Sequence, residues 1–408
     1  MRLDGRTVVL GLSGGIACYK ACEVVRLLVG AGARVRVVMT AGAQQFVTPL
    51  TLQTLSGEPV STDTFDLTQE SEIGHIRLAE VADVVVIAPA TANVLAKLAH
   101  GLADDLLTTV LLATRAPLVL APAMNVHMWE HPAVQENVAR LVARGARVVG
   151  PASGALACGY EGTGRLAPAE DIVEEVACML TPQDLAGEHV LVSAGPTQEP
   201  IDPVRYLSNR SSGKMGYALA RVARRRGATV TLVSGPTELV PPAGVTAVRV
   251  ETAHEMGRAV DQAFVRATIV VMTAAVADYR PHAPRPRKLK KSAETLALDL
   301  ERNPDILAGL ARRKGRRILV GFAAETHDLV AEARRKLRTK RLDLIVANDV
   351  TTPGAGFGSD QNAVHLLDPS GLDEVVQLTA KEEVATRILD WVATHRPTSA
   401  ARRTLRRV

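Results

Sequence analysis

The chain has 408 residues, more than one hydrophobic core usually organises, so two domains are expected. Its 48 Lys and Arg against 43 Asp and Glu give a formal charge of +5, but aromatics at only 3% exclude a base-stacking platform for nucleic acid. Cysteines at 18, 22, 158 and 178 follow neither zinc-ligand nor secretory spacing, the N-terminus lacks a signal-peptide pattern, and no run of 18 uncharged apolar residues occurs. These features predict a cytoplasmic protein of a reducing compartment, with no membrane span.

In chain order, the apolar run 7–12 reads as a parallel strand buried on both faces. A turn with Ser13, Gly14 and Gly15 follows, then a helix over 18–30 in which Cys18 and Cys22 pack one turn apart. Further strands are predicted at 33–39, 82–88, 117–121 and 146–150, with helices between them. This alternation predicts a doubly wound α/β domain over about 5–180. The first turn lacks the spaced glycine fingerprint of dinucleotide enzymes, and no acidic residue ends the second strand. A nicotinamide dinucleotide is therefore disfavoured, and a mononucleotide such as FMN fits better. Ser13, Thr40, and Thr91 with Asn93 stand at three strand ends, and they converge on one crevice if those strands are neighbours. Any one of them alone is equally an ordinary helix cap.

Three other positions in this half carry candidate chemistry. His75 follows Gly74 at the start of an amphipathic helix, where a lone histidine is usually structural. Asn125 follows Pro122-Ala123-Met124 and is either an Asx-turn residue or an amide able to meet both a carboxylate and an amide N–H. Cys158 stands alone in a loop with glycines at 159, 162 and 164, either a structural thiol or a reactive one on a mobile segment.

The pattern restarts after 182–188. Strands are predicted at 189–194, 228–234, 269–273, 318–322 and 344–347, with helices at 216–226 and 329–340, and no internal repeat is evident. Arg205 opens a run to Gly216 in which Ser211-Ser212-Gly213-Lys214 resembles a phosphate loop without full Walker spacing. Strand-end turns carry Thr273, Ala274, Ala275 and Asp278, and further on Phe322. Lys288 belongs to a proline-flanked basic cluster, ordinarily a solvated loop. Lys336 and Lys340 lie four apart on one helix face. The tail after 395 is basic and is expected to be solvated and disordered.

Residues 11–20, 89–93, 122–125 and the loop around Cys158 resemble the flavin-dependent cysteine decarboxylases. The second half resembles phosphopantothenate–cysteine ligase. To about residue 390 the chain resembles the bifunctional bacterial family of coenzyme A synthesis that joins both activities. The resemblance implies a flavodoxin-like or Rossmann-like decarboxylase domain over 1–185, a Rossmann-like ligase domain over 186–395 and a tail over 396–408. It implies FMN contacts at Ser13, Gly14, Gly15, Ile16, Thr40, Thr91, Asn93 and Thr108, with Met124 and Arg165 at the substrate. His75 is implied to assist oxidative decarboxylation, Asn125 to orient the substrate carboxylate, and Cys158 to donate a proton. In the ligase half Asn209 and Lys288 are implied to handle an acyl cytidylate made from CTP. Arg205, Ser211, Ser212, Gly213, Thr273, Ala274, Ala275, Asp278, Asn303, Pro304, Asp305, Ile306, Phe322, Lys336 and Lys340 are implied to bind the substrates, with Mg²⁺ at Asp278. Assembly into a homo-oligomer, a dodecamer built from trimeric and dimeric contacts, is implied as well. A single-activity enzyme and a non-catalytic FMN-binding regulator remain the alternatives.

Overall fold

The computed structural model describes residues 2–65, 74–156, 159–290, 296–325, 327–349, 354, 356 and 358–396. The chain divides into two compact units, Met1–Thr181 and Pro182–Val408. Leu185 is buried in the core of the second unit, so the segment expected to close the first domain at 185 packs with the second unit instead. The tail beyond Arg396 lies outside the described residues.

In the first unit, β1 (Thr7–Leu12) leads into α1 (Cys18–Gly30), β2 (Arg34–Met39), α2 (Pro49–Ser56) and α3 (Gly74–Val81). Then come β3 (Val84–Ala90), α4 (Ala92–His100), α5 (Leu106–Ala113), β4 (Leu118–Pro122), α6 (Val126–Glu130), α7 (Pro132–Ala143) and β5 (Arg147–Val148). A hairpin, β6 (Ala152–Ala155) with β7 (Glu161–Arg165), precedes α8 (Ala169–Leu180). The five-stranded sheet runs β2-β1-β3-β4-β5 and is parallel throughout. Because successive side chains alternate between faces, β1 serves two cores. Val8 and Leu10 pack with Val24 and Leu28 of α1 and Ile172 of α8, while Val9 packs with Leu95 of α4 and with Leu107 and Val110 of α5. Both faces are covered, which is why the strands read as unbroken apolar runs. Each fully buried Leu contributes roughly 1.5–3 kcal/mol over an exposed one.

The Cys158 segment, expected as a loop, is in part this hairpin. Its register places Gly154 opposite Gly162, both at positive φ (+133° and +155°). Glycines remove the side-chain alternation by which a strand is recognised, so the hairpin carries no sequence pattern.

The second unit begins with β8 (His189–Ala194), β9 (Gln198–Pro200), β10 (Tyr206–Ser208), α9 (Lys214–Arg225), β11 (Thr229–Ser234) and β12 (Thr246–Arg249). It continues through α10 (Ala253–Phe264), β13 (Ile269–Met272), β14 (Tyr279–Pro281), β15 (Leu300–Arg302), α11 (Ile306–Arg312) and β16 (Ile318–Glu325). α12 (Leu329–Thr339), β17 (Leu344–Asp349), β18 (Gln361–Leu367), β19 (Asp373–Ala380) and α13 (Lys381–His395) complete it. The eight-stranded sheet has the order β12-β11-β8-β13-β16-β17-β18-β19. Its first six strands are parallel in the Rossmann order, and the last two are antiparallel additions. Among the described residues no helix is long and apolar enough to cross a membrane.

Candidate active sites

In the first unit the carboxyl ends of β2, β1, β3 and β4 lie side by side, and the chain's direction of travel across the sheet reverses at β1. A parallel sheet opens a crevice there because adjacent connections leave to opposite faces. The crevice is a cavity of about 950 Å³. Ser13, Gly14, Gly15 and Ile16 line it from the turn after β1, Thr40 from the end of β2, and Thr91 and Asn93 from the start of α4. Met124 and Asn125 line it from the loop after β4, and Arg165 from β7. The hydroxyl-bearing strand ends therefore do converge.

Their hydroxyls differ in what they hold. Ser13 is 1% exposed; its Oγ donates to the Pro89 carbonyl at 2.7 Å and accepts from the Thr91 N–H at 3.0 Å. It clasps the ends of β1 and β3 together. Thr40 Oγ1 accepts from the Ala43 N–H at 3.2 Å and shapes the turn after β2. A Cβ on Gly14 would lie 2.9 Å from the Gly42 backbone, so these two turns approach with no side chain between them. The result is a backbone-lined cradle at the start of α1, suited to a phosphate. Ile16 and Tyr19, 57% and 59% exposed, offer apolar surface to a flat ring. The donor set and the cradle fit FMN.

Asn125 caps α6, its Oδ1 accepting from the His127 N–H at 2.8 Å, and the same side chain lines the cavity. The Asx-turn and ligand-binding readings are thus compatible. A Cβ on Gly164 would lie 2.3 Å from the Met124 carbonyl oxygen, so β7 lies directly on the loop that carries Asn125. Ala155 and Leu156 reach the cavity wall from the same hairpin. Cys158 itself lies outside the described residues.

Two expected residues do not line this cavity. Thr108 is 2% exposed, and both its N–H and its hydroxyl bond to Asp105 Oδ1, at 2.8 and 2.7 Å, closing the capping box of α5. It is Asp105 that reaches the cavity. His75 is half-buried on α3, its Nδ1 without a hydrogen-bond partner among the described residues. Lys97 was not foreseen. It follows Asn93 by one helical turn on α4, so the spacing could have signalled it. The bond to Asp104 at 2.6 Å holds its ammonium above the ordinary lysine range.

The second unit has its own cavity of about 630 Å³, at the carboxyl ends of β13, β16 and β17. Asn209, Ser211, Ser212 and Gly213 line it from the loop before α9. Thr273, Ala274, Ala275 and Asp278 enter from the turn after β13; Asn303, Pro304, Asp305 and Ile306 come from the start of α11; Phe322 comes from β16; Lys336 and Lys340 come from α12 and its C-cap. Six basic side chains, Arg210, Lys214, Arg302, Lys336, Lys340 and Lys381, face two acidic ones, Asp278 and Asp305. So strong an imbalance in a concave site concentrates positive potential and suits a polyanion.

Several of these residues are fixed by the backbone. Asn209 Nδ2 donates to the carbonyls of Ala275 and Val276 at 3.3 and 3.1 Å. Thr273 Oγ1 donates to the Ser193 carbonyl at 2.5 Å. Asn303 is 7% exposed; its Nδ2 donates to the Ala277 carbonyl at 2.8 Å and its Oδ1 accepts from Arg280 at 2.8 Å, which pins the turn before α11. Asp305 caps α11 and pairs with Lys340 at 3.0 Å. Burial pushes its carboxyl up, but the Ala308 N–H and Lys340 together bring it below the usual range.

Lys288 and Arg205 do not line this cavity. Arg205 pairs with Asp202 at 3.1 Å and donates to the Leu289 carbonyl at 2.5 Å, while the Leu289 N–H donates to Asp202 at 3.1 Å. These bonds tie exposed Lys288 to the Arg205 turn, off the cavity wall. Asp278 is exposed, and among the described residues no three His, Cys, Asp or Glu side chains gather as a metal set. Sequence reasoning missed Arg210, Arg302, Asn362 and Lys381 at this cavity. Arg210 and Arg302 were legible as the neighbours of Asn209 and Asn303, but Asn362 and Lys381 come to the cavity only through strand pairing.

Comparison with known proteins agrees with this layout. Residues 2–181 match the family described as Flavoprotein, and residues 185–395 match the DNA/pantothenate metabolism flavoprotein C-terminal domain. The coenzyme A biosynthesis bifunctional protein CoaBC of Bacillus subtilis is 49% identical over 395 residues, spanning 96% of this chain and 97% of that protein. The CoaBC protein of Escherichia coli K12 is 48% identical over 399 residues, spanning 97% and 98%. A crystal structure of the C-terminal domain of CoaBC, 43% identical, covers 52% of this chain and 97% of its own, with a TM-score of 0.45. On two matched domains and near-complete coverage, the chain belongs to the bifunctional CoaBC family of coenzyme A biosynthesis, enzymes with a flavoprotein decarboxylase unit followed by a ligase unit.

Proposed function

We propose that the second unit joins 4'-phosphopantothenate to L-cysteine at the expense of CTP, through an acyl-CMP anhydride, and that the first unit decarboxylates the product to 4'-phosphopantetheine with FMN, in the cytoplasm. The observation that carries the ligase half is the basic cavity, with six cationic side chains against two carboxylates. In this reading the Ser211-Ser212-Gly213 backbone and the start of α9 bind triphosphate, with Lys336 and Lys340 beside it. Phe322 supports the base or sugar. A Mg²⁺ ion would be held chiefly by phosphate oxygens and by Asp278, since hard cations of this size keep few protein ligands. The substrate carboxylate displaces pyrophosphate at the α-phosphorus, Lys288 stabilises the charge that develops, and Asn209 presents the acyl carbon to the cysteine amine.

In the first unit, FMN supplies when bound the reversible two-electron oxidation of the substrate thiol that makes loss of the carboxylate possible. Asn125 orients the carboxylate, the turn after β1 holds the cofactor phosphate, and the hairpin shields the site from water. Cys158, ordinarily protonated at neutral pH, delivers the final proton. His75, Arg205 and Lys288 lie off the cavities of their own chain, which supports their delivery from neighbouring copies in a closed homo-oligomer, a dodecamer of trimers.

The test is purification with its flavin followed by incubation with 4'-phosphopantothenate, cysteine, CTP and Mg²⁺. Equimolar CMP, pyrophosphate and carbon dioxide are expected, and Cys158→Ser should abolish phosphopantetheine formation while amide formation continues. Phosphopantetheine formation at the wild-type rate by Cys158→Ser would remove the proton-donor role, and failure of CTP to support amide formation would remove the nucleotide assignment.

A further inference from the structure

Lys381 begins α13 and is 8% exposed, yet it lines the basic cavity. Its Nζ donates to the Ser359 carbonyl, and among the described residues no carboxylate forms an ion pair with it. Asp360 accepts from the Lys381 N–H through its main-chain oxygen at 3.0 Å, and its carboxylate bonds to Lys214 at 2.7 Å. That carboxylate is 88% exposed, so water screens most of its charge. Burial, followed by the charge of Lys214, pushes the Lys381 ammonium below the ordinary lysine range.

Three costs therefore fall on one side chain. An ammonium is taken out of water with only the exposed carboxylate of Asp360 acting to offset the cost. It begins a helix, where the macrodipole disfavours positive charge. It faces a second lysine, Lys214, which itself begins α9. An arrangement so unfavourable when empty becomes favourable when a dianionic group arrives.

We infer that Lys381, with Lys214 across from it, forms a phosphate-binding subsite of the ligase reaction. The phosphate comes either from the distal end of the nucleotide or from the 4'-phosphate of the acyl substrate. In both cases Lys381 touches substrate and sets its affinity, while the acyl carbon is handled by Asn209. The inference rests on the CTP-dependent reading of the second unit.

The full-length protein with its flavin tests it through Lys381→Gln, which keeps a donor for the Ser359 carbonyl while removing the charge, and Lys381→Arg, which keeps the charge. Loss of one charge-assisted contact should raise the KM of a phosphate-bearing substrate by roughly 10- to 100-fold. The kcat should stay within about threefold, the pattern of lost uniform binding, and the KM of cysteine should not move. Lys381→Arg should recover most of the affinity. If the KM of CTP rises and inhibition by inorganic pyrophosphate weakens, the nucleotide occupies the subsite; if only the KM of phosphopantothenate rises, the acyl substrate does. Constants for both substrates within about twofold of wild type in Lys381→Gln would overturn the inference, as would an equal rise for cysteine. A wild-type chain that makes no amide from CTP would instead remove the underlying reading.

Discussion

Asn209 shows how much of a catalytic residue's behaviour is set by its second contact. Both hydrogens of its amide are committed to the carbonyls of Ala275 and Val276, which leaves Oδ1 as the group turned toward chemistry. An aspartate there would set a carboxylate against two carbonyl oxygens and lose both donors. Asn209→Asp is expected to form the acyl cytidylate but pass it to cysteine about 100-fold more slowly, because a side chain that loses both anchoring donors is displaced from its working position. Pyrophosphate released without amide, followed by product analysis, checks this; equal loss of both steps counts against the role. By residue pattern alone Asn209 is one polar residue in a polar run; the family resemblance is what singled it out. Thr108 stays off the cavity wall for a related reason. Its hydroxyl has the right chemistry for a ligand, but the capping box consumes it, and a cap is visible only once the helix start is known.

Among elements, the packing of α9 on α13 holds one edge of the ligase cavity. Glu382, in the first turn of α13, receives Arg221 at 3.0 Å and Arg225 at 3.0 Å. Burial would raise its carboxyl, but Arg225 above all holds it down, at about 2. Because the folded value lies below the unfolded one, this stabilisation is fully present above pH ~4.3 and is lost as pH falls through the folded value near 2. Its size is on the order of 3 kcal/mol at most, shared with the rest of the cluster. Glu382→Gln should lower the stability of the second unit at neutral pH and flatten its dependence on acid. Urea titration followed through Trp391 of α13, in a Trp129→Phe background, reads this directly. An unchanged midpoint at pH 7 would show that the guanidinium pair contributes nothing.

For the whole molecule, each unit carries its own hydrophobic cores and its own cavity. Yet His75, Arg205 and Lys288 do not line the cavities of the units that contain them. On the proposed dodecamer, light scattering of the flavin-loaded protein should give twelve copies of the 43.4 kDa chain. A monomer competent in both half-reactions would exclude sites shared between copies.

The sequence by itself determined the fold class and the principal parallel strands of both units. The strands expected at 7–12 and 189–194 are those observed, and the helix expected at 18–30 is α1. Apolar runs and glycine turns are local signals, because strand burial and helix capping are settled within a few residues. The turns that border the cavities were legible for the same reason, since a strand end in a parallel sheet is a local event with a known destination. Strand order decided the rest. β18 and the end of β19 bring Asn362 and Lys381 to a cavity whose lining begins at Asn209, more than 150 residues earlier, and no periodicity encodes that meeting. The 154–162 glycine pair hides a hairpin that only cross-strand hydrogen bonds reveal. Lys288 looked like part of a solvated basic loop or a clamp on the reacting phosphate; its tie to Arg205 and Asp202, a contact across more than 80 residues, sets where it stands. Contacts at that separation are fixed by packing and loop closure, which act only when the whole chain has folded.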